Sequence, residues 1–339
     1  RSRVPHVSIA MFAYRPVTAK PSEKPDSPQS SDQMPRSLDH PAEPNCYCCS
    51  ELEVGHEGHD GDSCGDDIEV LYEEMDWLDI NTKQLSKESQ EKLLSAVSSL
   101  RRTQAQLVMT RVLEEPETVR QELAEWLGPQ SSALDQPIQF LEVFTGKAPL
   151  AKRVEQKLQL PSIKIGYDYG HDLDQLKDRR MLMTLIAYKR PRHVWFSFPC
   201  GCWGPWSRFN MTRGGSCRDR ILAQRAKARR HLHAVTEAWA LQTALGGHCH
   251  GENPLTSEAW GELHLGEVCD IRVDQCALGL RCPKTKLPVL KPTRLVTTQQ
   301  SLAESMQLYR CDHRHNHGHL EGKYKGINLS KINLPHKVL

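Results

Sequence analysis

Residues 139–150 read QFLEVFTGKAPL, and residues 193–202 read HVWFSFPCGC. Each is a short apolar run that stops at a turn containing glycine or proline, which predicts a buried strand followed by a loop. Residues 163–167 predict a further strand, and residues 150–158 and 179–188 predict helices between the strands. Strands that alternate with helices at this spacing favour an α/β fold with a doubly wound sheet, in which ligands bind at the carboxyl ends of the strands.

The alternation continues along the chain. Residues 220–245 predict a long helix, and residues 248–252 predict another strand. Upstream, residues 67–130 form an acidic segment in which leucine and valine recur at steps of three and four, which predicts helix. Pro116 interrupts the pattern, so we expect the helix to break there. The segment shows no pattern typical of catalysis, and we expect it to serve in packing or in contact with a partner.

The first 66 residues are expected to be mostly disordered. Residues 16–45 are rich in proline and serine and almost free of aliphatic side chains, so they cannot bury enough apolar area to offset the entropy of ordering. A Cys/His patch follows from Cys46 to Cys64 with the spacing C-x-C-C-x6-H-x2-H-x4-C. Because this spacing matches no common zinc module, an acidic linker that holds a few thiols and a metal-binding knuckle both remain open.

Charge is distributed unevenly along the 339 residues. The chain has 44 Lys and Arg against 42 Asp and Glu, a net charge of +2. Residues 1–140 hold 13 basic and 25 acidic residues, whereas residues 141–339 hold 31 and 17, so the two parts carry net charges of −12 and +14. The basic part suits a polyanionic partner, and the acidic part indicates a different role.

The composition argues against a membrane protein and against a secreted disulfide scaffold. No run reaches the roughly 18 apolar residues that a membrane span needs, and no signal peptide with a cleavage motif follows the short apolar run at residues 7–14. The 12 cysteines lack the spacing of a secreted framework. We therefore expect an intracellular protein, nuclear or cytoplasmic, without membrane contact.

Small and acidic residues follow the predicted strands in a pattern typical of nucleotide sites. The turn at Gly146 lets the backbone approach a nucleotide-like ligand. Asp168 lies 22 residues later, where an acidic side chain suits a ribose hydroxyl, and Asp172 could bind an adenine amino group. A surface turn explains Asp168 alone equally well.

Cys200 is the candidate nucleophile. It follows an apolar strand directly, in a loop bracketed by proline and glycine, and is therefore expected at the rim of the sheet rather than in the core. Residues 251–254 (GENP) follow the next predicted strand. Because ligand-binding loops gather at the carboxyl edge of such a sheet, Glu252 is expected to place a carboxyl group beside Cys200.

The order of these motifs resembles that of the C5-cytosine DNA methyltransferases over about residues 138–300. The resemblance implies their class I, S-adenosylmethionine-dependent fold, which is a doubly wound, Rossmann-like sheet. The motifs that carry it are Phe-x-Gly at 144–146, the acidic strand end at 168, Asp-Leu at 172–173, Phe-Pro-Cys at 198–200 and Glu-Asn at 252–253.

The resemblance also implies a role for individual residues. Cys200 would attack C6 of a cytosine that has been flipped out of the DNA duplex, and Glu252 would hold or protonate N3. Arg272 and Arg281 are candidates to contact the carbonyl group of the base. The residues implied at the S-adenosylmethionine cofactor are Phe144, Gly146, Asp168, Asp172 and Pro199.

The chain departs from the family pattern in its loops. Ala148 and Pro149 stand where the family usually has glycines, and Gly-Cys-Trp-Gly-Pro-Trp separates Cys200 from Ser207. The pattern is also similar to divergent methyltransferase-like domains of retroelement-type polyproteins. Two functions stay open: methyl transfer from S-adenosylmethionine to C5 of cytosine in DNA, and a catalytically inactive nucleic-acid-binding or assembly module of a mobile-element polyprotein.

A basic stretch follows the cysteine loop. Arginine and lysine crowd residues 213–230, which suits contact with DNA phosphates. A run of this kind is more often a solvated helix face. The methyltransferase-like domain that contains it is predicted to span residues 136–325, with a tail at residues 326–339; the oligomeric state stays open.

A second Cys/His cluster lies near the C-terminus. From Cys311, histidines alternate along the sequence CDHRHNHGH. Cys276, Cys311, His315 and His317 could form a tetrahedral structural zinc site, with Cys282 as an alternative to Cys276. A histidine-rich exposed turn is the other interpretation.

Overall fold

The computed structural model describes residues 87–320, 323–324 and 327–328. The predicted disorder of residues 1–66, the Cys/His patch within them and the start of the helical segment at residues 67–86 lie outside the described residues. In the described part, the strands are β1 (Phe140–Val143), β2 (Ser162–Ile165), β3 (His193–Phe196), β4 (His248–Pro254), β5 (Cys269–Asp274), β6 (Pro292–Thr297), β7 (Lys323–Tyr324) and β8 (Ile327–Asn328). The helices are α1 (Lys87–Glu114), α2 (Pro116–Leu127), α3 (Pro149–Leu158), α4 (Leu176–Lys189), α5 (Pro205–Thr212), α6 (Gly215–Ala244) and α7 (Gln300–Met306).

Six strands form one mixed, mostly parallel sheet with the order β2-β1-β3-β4-β6-β5. Strands β1 to β4 pair in parallel, and β6 pairs antiparallel with both of its neighbours, β4 and β5. Strands β7 and β8 form a separate antiparallel pair across the predicted domain boundary at residue 325. The chain is therefore an α/β protein, as the sequence predicts.

Helices cover both faces of the sheet. Successive side chains of a strand point to opposite faces, so one strand packs against the helices on both sides. On one face, Leu141 and Val143 of β1 belong to a core that α2, α4 and α6 complete. On the other face, Phe140 packs with Ala151 and Val154 of α3. Helix α7 packs against β5 and β6.

The strand order reverses beside β1. The chain passes from β1 through α3 to β2 on one side, and it returns through α4 to β3 on the other side of β1. The loops that follow β1 and β3 therefore lead to different neighbours and leave a crevice at the carboxyl edge of the sheet. Open α/β sheets bind their ligands at this point.

The helices and strands predicted between residues 139 and 252 are confirmed, with ends that shift by up to five residues. The predicted break at Pro116 is also confirmed, since α1 ends at Glu114 and α2 begins at Pro116. The sequence pattern did not predict β5 or β6, because charged residues interrupt both strands (CDIRVD and PTRLVT) and their apolar periodicity is short. None of the described helices is long and apolar enough to span a membrane.

Candidate functional site

A cavity of about 490 Å³ opens at the point where the strand order reverses. The loops after β1 and β3, the end of β4 and the inner sides of β5 and β6 line it. Its volume lies in the range of pockets that bind small molecules and cofactors. Cys200 and Glu252 both line this cavity.

The turn after β1 is held in an unusual backbone conformation. Phe144 has a φ of 60° and Ala148 a φ of 46°, values that non-glycine residues seldom adopt. Buried Glu142 fixes the turn by accepting hydrogen bonds from Thr145 Oγ1 at 3.0 Å and from the Ala151 amide at 2.6 Å. Backbone strain that a surrounding network maintains is typical of functional sites.

Gly146 in the same turn faces open space. Among the described residues, a Cβ atom at this position would meet no atom within 4 Å beyond its own chain neighbours. Because Gly146 lines the cavity, a ligand can approach its backbone there without meeting a side chain.

Burial raises the pKa of the nearby Glu142, and the hydrogen bonds from Ala151 and Thr145 oppose that rise.

The loop that bears Cys200 is fixed from two sides. Asn253 Nδ2, on β4, donates a hydrogen bond of 2.7 Å to the Phe198 carbonyl oxygen. Ser207 Oγ, on α5, donates a hydrogen bond of 2.7 Å to the Gly201 carbonyl oxygen. Asn253 and Ser207 are both buried, so the loop is held by hydrogen bonds that water does not compete for.

Trp203 anchors the far end of this loop. Its side chain is fully buried, and the Arg225 guanidinium lies 4.9 Å from the centre of its ring. Arg225 Nε also donates a hydrogen bond of 3.0 Å to the Cys202 carbonyl oxygen. The loop thus joins the body of the protein through a cation–π contact and a charge-assisted hydrogen bond.

Three ionisable groups interact within the cavity. Burial raises the pKa of the Cys200 thiol, the Glu252 carboxylate raises it further, and the Lys291 ammonium lowers it. Burial likewise raises the pKa of Glu252, against the lowering effects of Lys291 and of a hydrogen bond from Ser197. Burial lowers the pKa of Lys291, and the two anionic partners oppose this. Lys291 therefore favours the thiolate, whereas Glu252 disfavours it.

Two amide oxygens in the cavity wall lack partners. Asn253 Oδ1 and Gln275 Oε1 are buried and have no hydrogen-bond partner among the residues that the structure describes. Gln275 is oriented by the hydrogen bond of 2.9 Å that its Nε2 donates to Thr293 Oγ1. A ligand with N–H or O–H donors would satisfy these acceptors, since buried polar groups are rarely left unpaired.

The structure brings together only some of the catalytic and cofactor-binding residues that the sequence predicts. Those that line the cavity are Phe144, Gly146, Pro199, Cys200 and Glu252.

The other four nominated residues lie away from the cavity wall. Asp168 is exposed on the short turn Tyr167–Tyr169, and Asp172 accepts a hydrogen bond of 2.9 Å from the Asp174 amide. Arg272 forms an ion pair with Asp274 at 2.9 Å, and Arg281 donates to the Lys286 carbonyl at 3.2 Å. In the described part of the chain, Lys147 and Lys291 are the cationic side chains that line the cavity.

The basic stretch at residues 213–230 divides into two parts. The side chains of Arg225, Lys227 and Arg229 form ion pairs with Glu258, Asp174 and Glu262. By contrast, Arg213 and Arg218 are exposed at its beginning. Three basic side chains of the stretch are therefore paired within the protein.

Cys276, Cys311, His315 and His317 form a cluster that could hold a metal ion, with all four ligand atoms within 4.8 Å of one another. Cys311 Sγ lies 3.7 Å from His315 Nε2 and 3.3 Å from His317 Nε2. Tetrahedral zinc bonds to sulfur and nitrogen imply a separation of about 3.5 Å between such atoms. The predicted cluster therefore comes together with the spacing of a four-ligand site.

The cluster is tied to the wall of the cavity. Cys276 directly follows Gln275, and Asp274 Oδ2 accepts a hydrogen bond of 3.0 Å from the Cys311 amide. Asp274 is almost fully buried and is also held by Arg272. Burial and the neighbouring Cys311 raise the pKa of Cys276 to about 12. A bound metal ion would join the end of β5 to the C-terminal loop.

The sequence did not indicate Lys291, Glu142 or the hydrogen bond that Asn253 donates to the cysteine loop. Lys291 precedes β6, a strand that the periodicity did not reveal, so nothing indicated that it would face Cys200. Glu142 is charged in an otherwise apolar strand, and that exception was the available signal for it. No protein-family model matches the chain, and no curated protein matches it.

Proposed function

We propose that this chain transfers a methyl group from S-adenosylmethionine to C5 of cytosine in DNA through a covalent adduct on Cys200. The observation that carries the proposal is the convergence of Cys200, Glu252 and Lys291 in one cavity at the carboxyl edge of the sheet. The reversal of strand order beside β1 and the helices on both faces support the doubly wound, Rossmann-like fold of class I methyltransferases.

The turn after β1 suits the cofactor. Gly146 leaves open space beside the backbone, and Phe144 and Pro199 supply apolar surface in the same wall. Asn253 Oδ1 and Gln275 Oε1 are acceptors that the amino groups of the cofactor or of cytosine would satisfy. These residues would hold S-adenosylmethionine, which supplies an electrophilic methyl group when bound. Asp168 and Asp172 remain candidates for its ribose and adenine that would need to move toward the cavity.

Cys200 acts as the nucleophile in this proposal. Its thiolate adds to C6 of cytosine and forms a carbon–sulfur bond, while N3 takes up a proton and C5 becomes nucleophilic. C5 would then bond to the methyl group that the cofactor supplies, and the sulfur–methyl bond of the cofactor would break to leave S-adenosylhomocysteine. Release of the C5 proton to a base, of the thiolate from C6 and of the N3 proton back to Glu252 would then restore the ring. The base must leave the duplex to reach the cavity.

Glu252 and Lys291 tune this reaction. Because its pKa is raised, the Glu252 carboxyl group stays protonated to higher pH than an exposed glutamate, and a proton donor to N3 must be protonated. The Lys291 ammonium stabilises the Cys200 thiolate. It lines the cavity, whereas Arg272 and Arg281, the candidates to contact the base carbonyl, do not.

Titration calorimetry with S-adenosylmethionine tests the proposal at its first step. We expect saturable one-to-one binding that Gly146→Val weakens at least tenfold, because the added side chain fills the space beside the turn. The matched control is Gly261→Val, on an exposed turn where an added Cβ also meets nothing within 4 Å among the described residues beyond its chain neighbours. Absence of binding to the folded wild-type protein would remove the enzymatic proposal.

The alternative is a non-catalytic nucleic-acid-binding or assembly module. The observation that favours it is the position of Asp168 and Asp172 outside the cavity wall, together with a Cys200 thiol whose pKa is raised. This module would bind DNA in a salt-dependent manner with or without S-adenosylmethionine.

The metal that we propose for the Cys/His cluster is zinc in a structural site. Two thiolates and two imidazoles are a typical tetrahedral zinc set that leaves no position open for substrate. Metal analysis of the full chain should show one equivalent less in Cys311→Ser than in wild type, and no loss in the control Cys217→Ser. Equal metal content in both variants would contradict the assignment.

A further inference from the structure

Helix α5 carries two large aromatic side chains on its outer surface. Trp206 is 80% exposed and Phe209 is 56% exposed. Their ring centres lie 6.3 Å apart, and the rings are nearly perpendicular. Trp206 and Phe209 together form an exposed aromatic patch, and contiguous exposed apolar patches mark interaction sites, because burial of an aromatic ring is strongly favourable.

This aromatic pair has a fixed position relative to Cys200. Between the two rings, Ser207 points inward and donates its hydrogen bond to the Gly201 carbonyl. The amides of Ser207 and Arg208 both donate to the Gly204 carbonyl at the start of α5. The rings therefore stand on the same short, anchored segment as the nucleophile, six and nine residues further along the chain.

The surface around the pair is basic. Residues 205–222 contain four arginines and one aspartate. Arg213 directly follows α5, Arg218 lies in the first turn of α6, and both are exposed. Arg208 and the arginines further along α6 instead form ion pairs with Glu258 and Glu262. Positive charge beside exposed aromatic rings is complementary to a strand of nucleic acid, in which phosphates alternate with flat bases.

We infer that Trp206 and Phe209 form a stacking platform for single-stranded DNA, with Arg213 and Arg218 binding the adjacent phosphates. Single-stranded DNA is the occupant that fits, because the faces of its bases are free to stack, whereas a duplex presents only base edges in its grooves. The inference rests on the proposed function in one respect: the platform would hold a locally unpaired strand on the same segment that bears the proposed nucleophile, Cys200.

The experiment uses an oligothymidylate as the probe, because it contains no cytosine and cannot take part in chemistry at Cys200. Binding is measured by tryptophan fluorescence and by anisotropy of a labelled oligonucleotide. We expect the full chain to bind with quenched fluorescence, and Trp206→Ala/Phe209→Ala to bind roughly tenfold more weakly or worse. Leu308→Ala, which removes an exposed apolar side chain elsewhere (82% exposed), should bind like wild type.

Salt dependence provides a second readout that a folding defect would not reproduce. Arg213→Gln/Arg218→Gln should keep the fluorescence quench but reduce the slope of log affinity against log salt by about 0.7 for each phosphate that the variant no longer neutralises. Wild-type affinity in the double aromatic variant would overturn the inference. So would self-association that this variant abolishes while the oligonucleotide has no effect, because the patch would then be an interface between copies of the chain.

The two proposals can fail separately. If S-adenosylmethionine does not bind but the oligothymidylate binds through Trp206 and Phe209, the enzymatic proposal is contradicted and the stacking platform is supported. If methyl transfer occurs and the aromatic variant does not change it, the platform is contradicted and the enzymatic proposal is supported.

Discussion

Asn253 Nδ2 donates a hydrogen bond of 2.7 Å to the carbonyl oxygen of Phe198 and so joins the ends of β4 and β3. Phe198 lies two residues before Cys200, and Asn253 directly follows Glu252. One buried hydrogen bond therefore sets the relative position of the proposed nucleophile and the proposed proton donor. The Glu-Asn pair thus contributes a carboxyl group to the cavity and a structural link to the cysteine loop.

We expect Asn253→Ala to destabilise the protein by about 1–3 kcal/mol, because the buried Phe198 carbonyl loses its donor. The midpoint of thermal unfolding should fall by several degrees. Asn253→Asp should destabilise the protein at least as much as Asn253→Ala, because a carboxylate donates no hydrogen bond and would repel the Phe198 carbonyl oxygen. Unchanged melting in both variants would show that this hydrogen bond does not hold the loop.

Replacement of Lys291 should change the reactivity of Cys200. Lys291 lowers the pKa of the thiol, so Lys291→Met should shift the pH profile of Cys200 alkylation to higher pH, and Lys291→Arg should restore most of the original profile. The measurement is the rate of iodoacetamide modification at Cys200, followed by peptide mass spectrometry between pH 6 and 10. Identical profiles for the methionine variant and wild type would show that Lys291 does not affect the pKa of the Cys200 thiol.

Glu252→Gln tests the proton donor. A glutamine keeps the shape of the side chain but cannot transfer a proton to N3, so methyl transfer should fall by about 10²- to 10⁴-fold. Binding of S-adenosylmethionine should stay within a factor of about three, which calorimetry can check. Full activity in this variant would assign the proton to another group.

Asp274 should support the metal cluster without binding the metal itself. It accepts a hydrogen bond from the Cys311 amide and is buried against Arg272. We expect Asp274→Asn to weaken zinc binding by about tenfold or more, as removal of a group that orients a metal ligand typically does. Competition with a chromogenic chelator measures this affinity. An unchanged zinc affinity would show that Asp274 does not support the metal cluster.

Acid should destabilise the sheet through its histidines. Burial, with His248 and Arg192 nearby, lowers the pKa of His193 to about 4, and burial also lowers the pKa of His248 and His250. The unfolded chain then binds more protons than the folded chain between about pH 6.5 and 4, so stability is complete above this window and is lost as pH falls through it.

For His193 alone, the loss across this window is on the order of 2 kcal/mol after allowance for its partial exposure. Urea unfolding of wild type and His193→Gln at pH 7.5 and pH 4.5 measures the difference. The variant should lose less stability than wild type on acidification. Equal losses would assign the acid sensitivity to other groups.

The sequence predicts the parallel core of this fold well, because β1, β2 and β3 are short apolar runs that end at clear turn signals. Cys200 and Glu252 were predictable as neighbours for a related reason: Cys200 follows β3, and Glu252 lies near the carboxyl end of β4, which pairs with β3 in parallel. Cys311, His315 and His317 of the Cys/His cluster could be predicted from composition, since cysteine and histidine are dense around residue 311.

The position of Lys291 could not be predicted. It depends on β6 running antiparallel between β4 and β5, a long-range pairing that leaves no local signal in the residues around it. The same limit applies to the paired arginines of α6, whose charge looks free in the sequence and is balanced by Glu258 and Glu262 from a distant loop. Local patterns specify elements, whereas these interactions depend on how the elements meet.

The central claim is that Cys200 forms a covalent bond with cytosine. The most direct measurement is trapping on a DNA oligonucleotide that contains 5-fluorocytosine, because fluorine at C5 blocks the loss of that substituent and arrests the adduct. We predict a denaturation-resistant complex that requires S-adenosylmethionine and maps to Cys200, and that is absent in Cys200→Ser. Absence of the complex with folded, cofactor-bound wild-type protein, or its persistence in Cys200→Ser, would contradict the account.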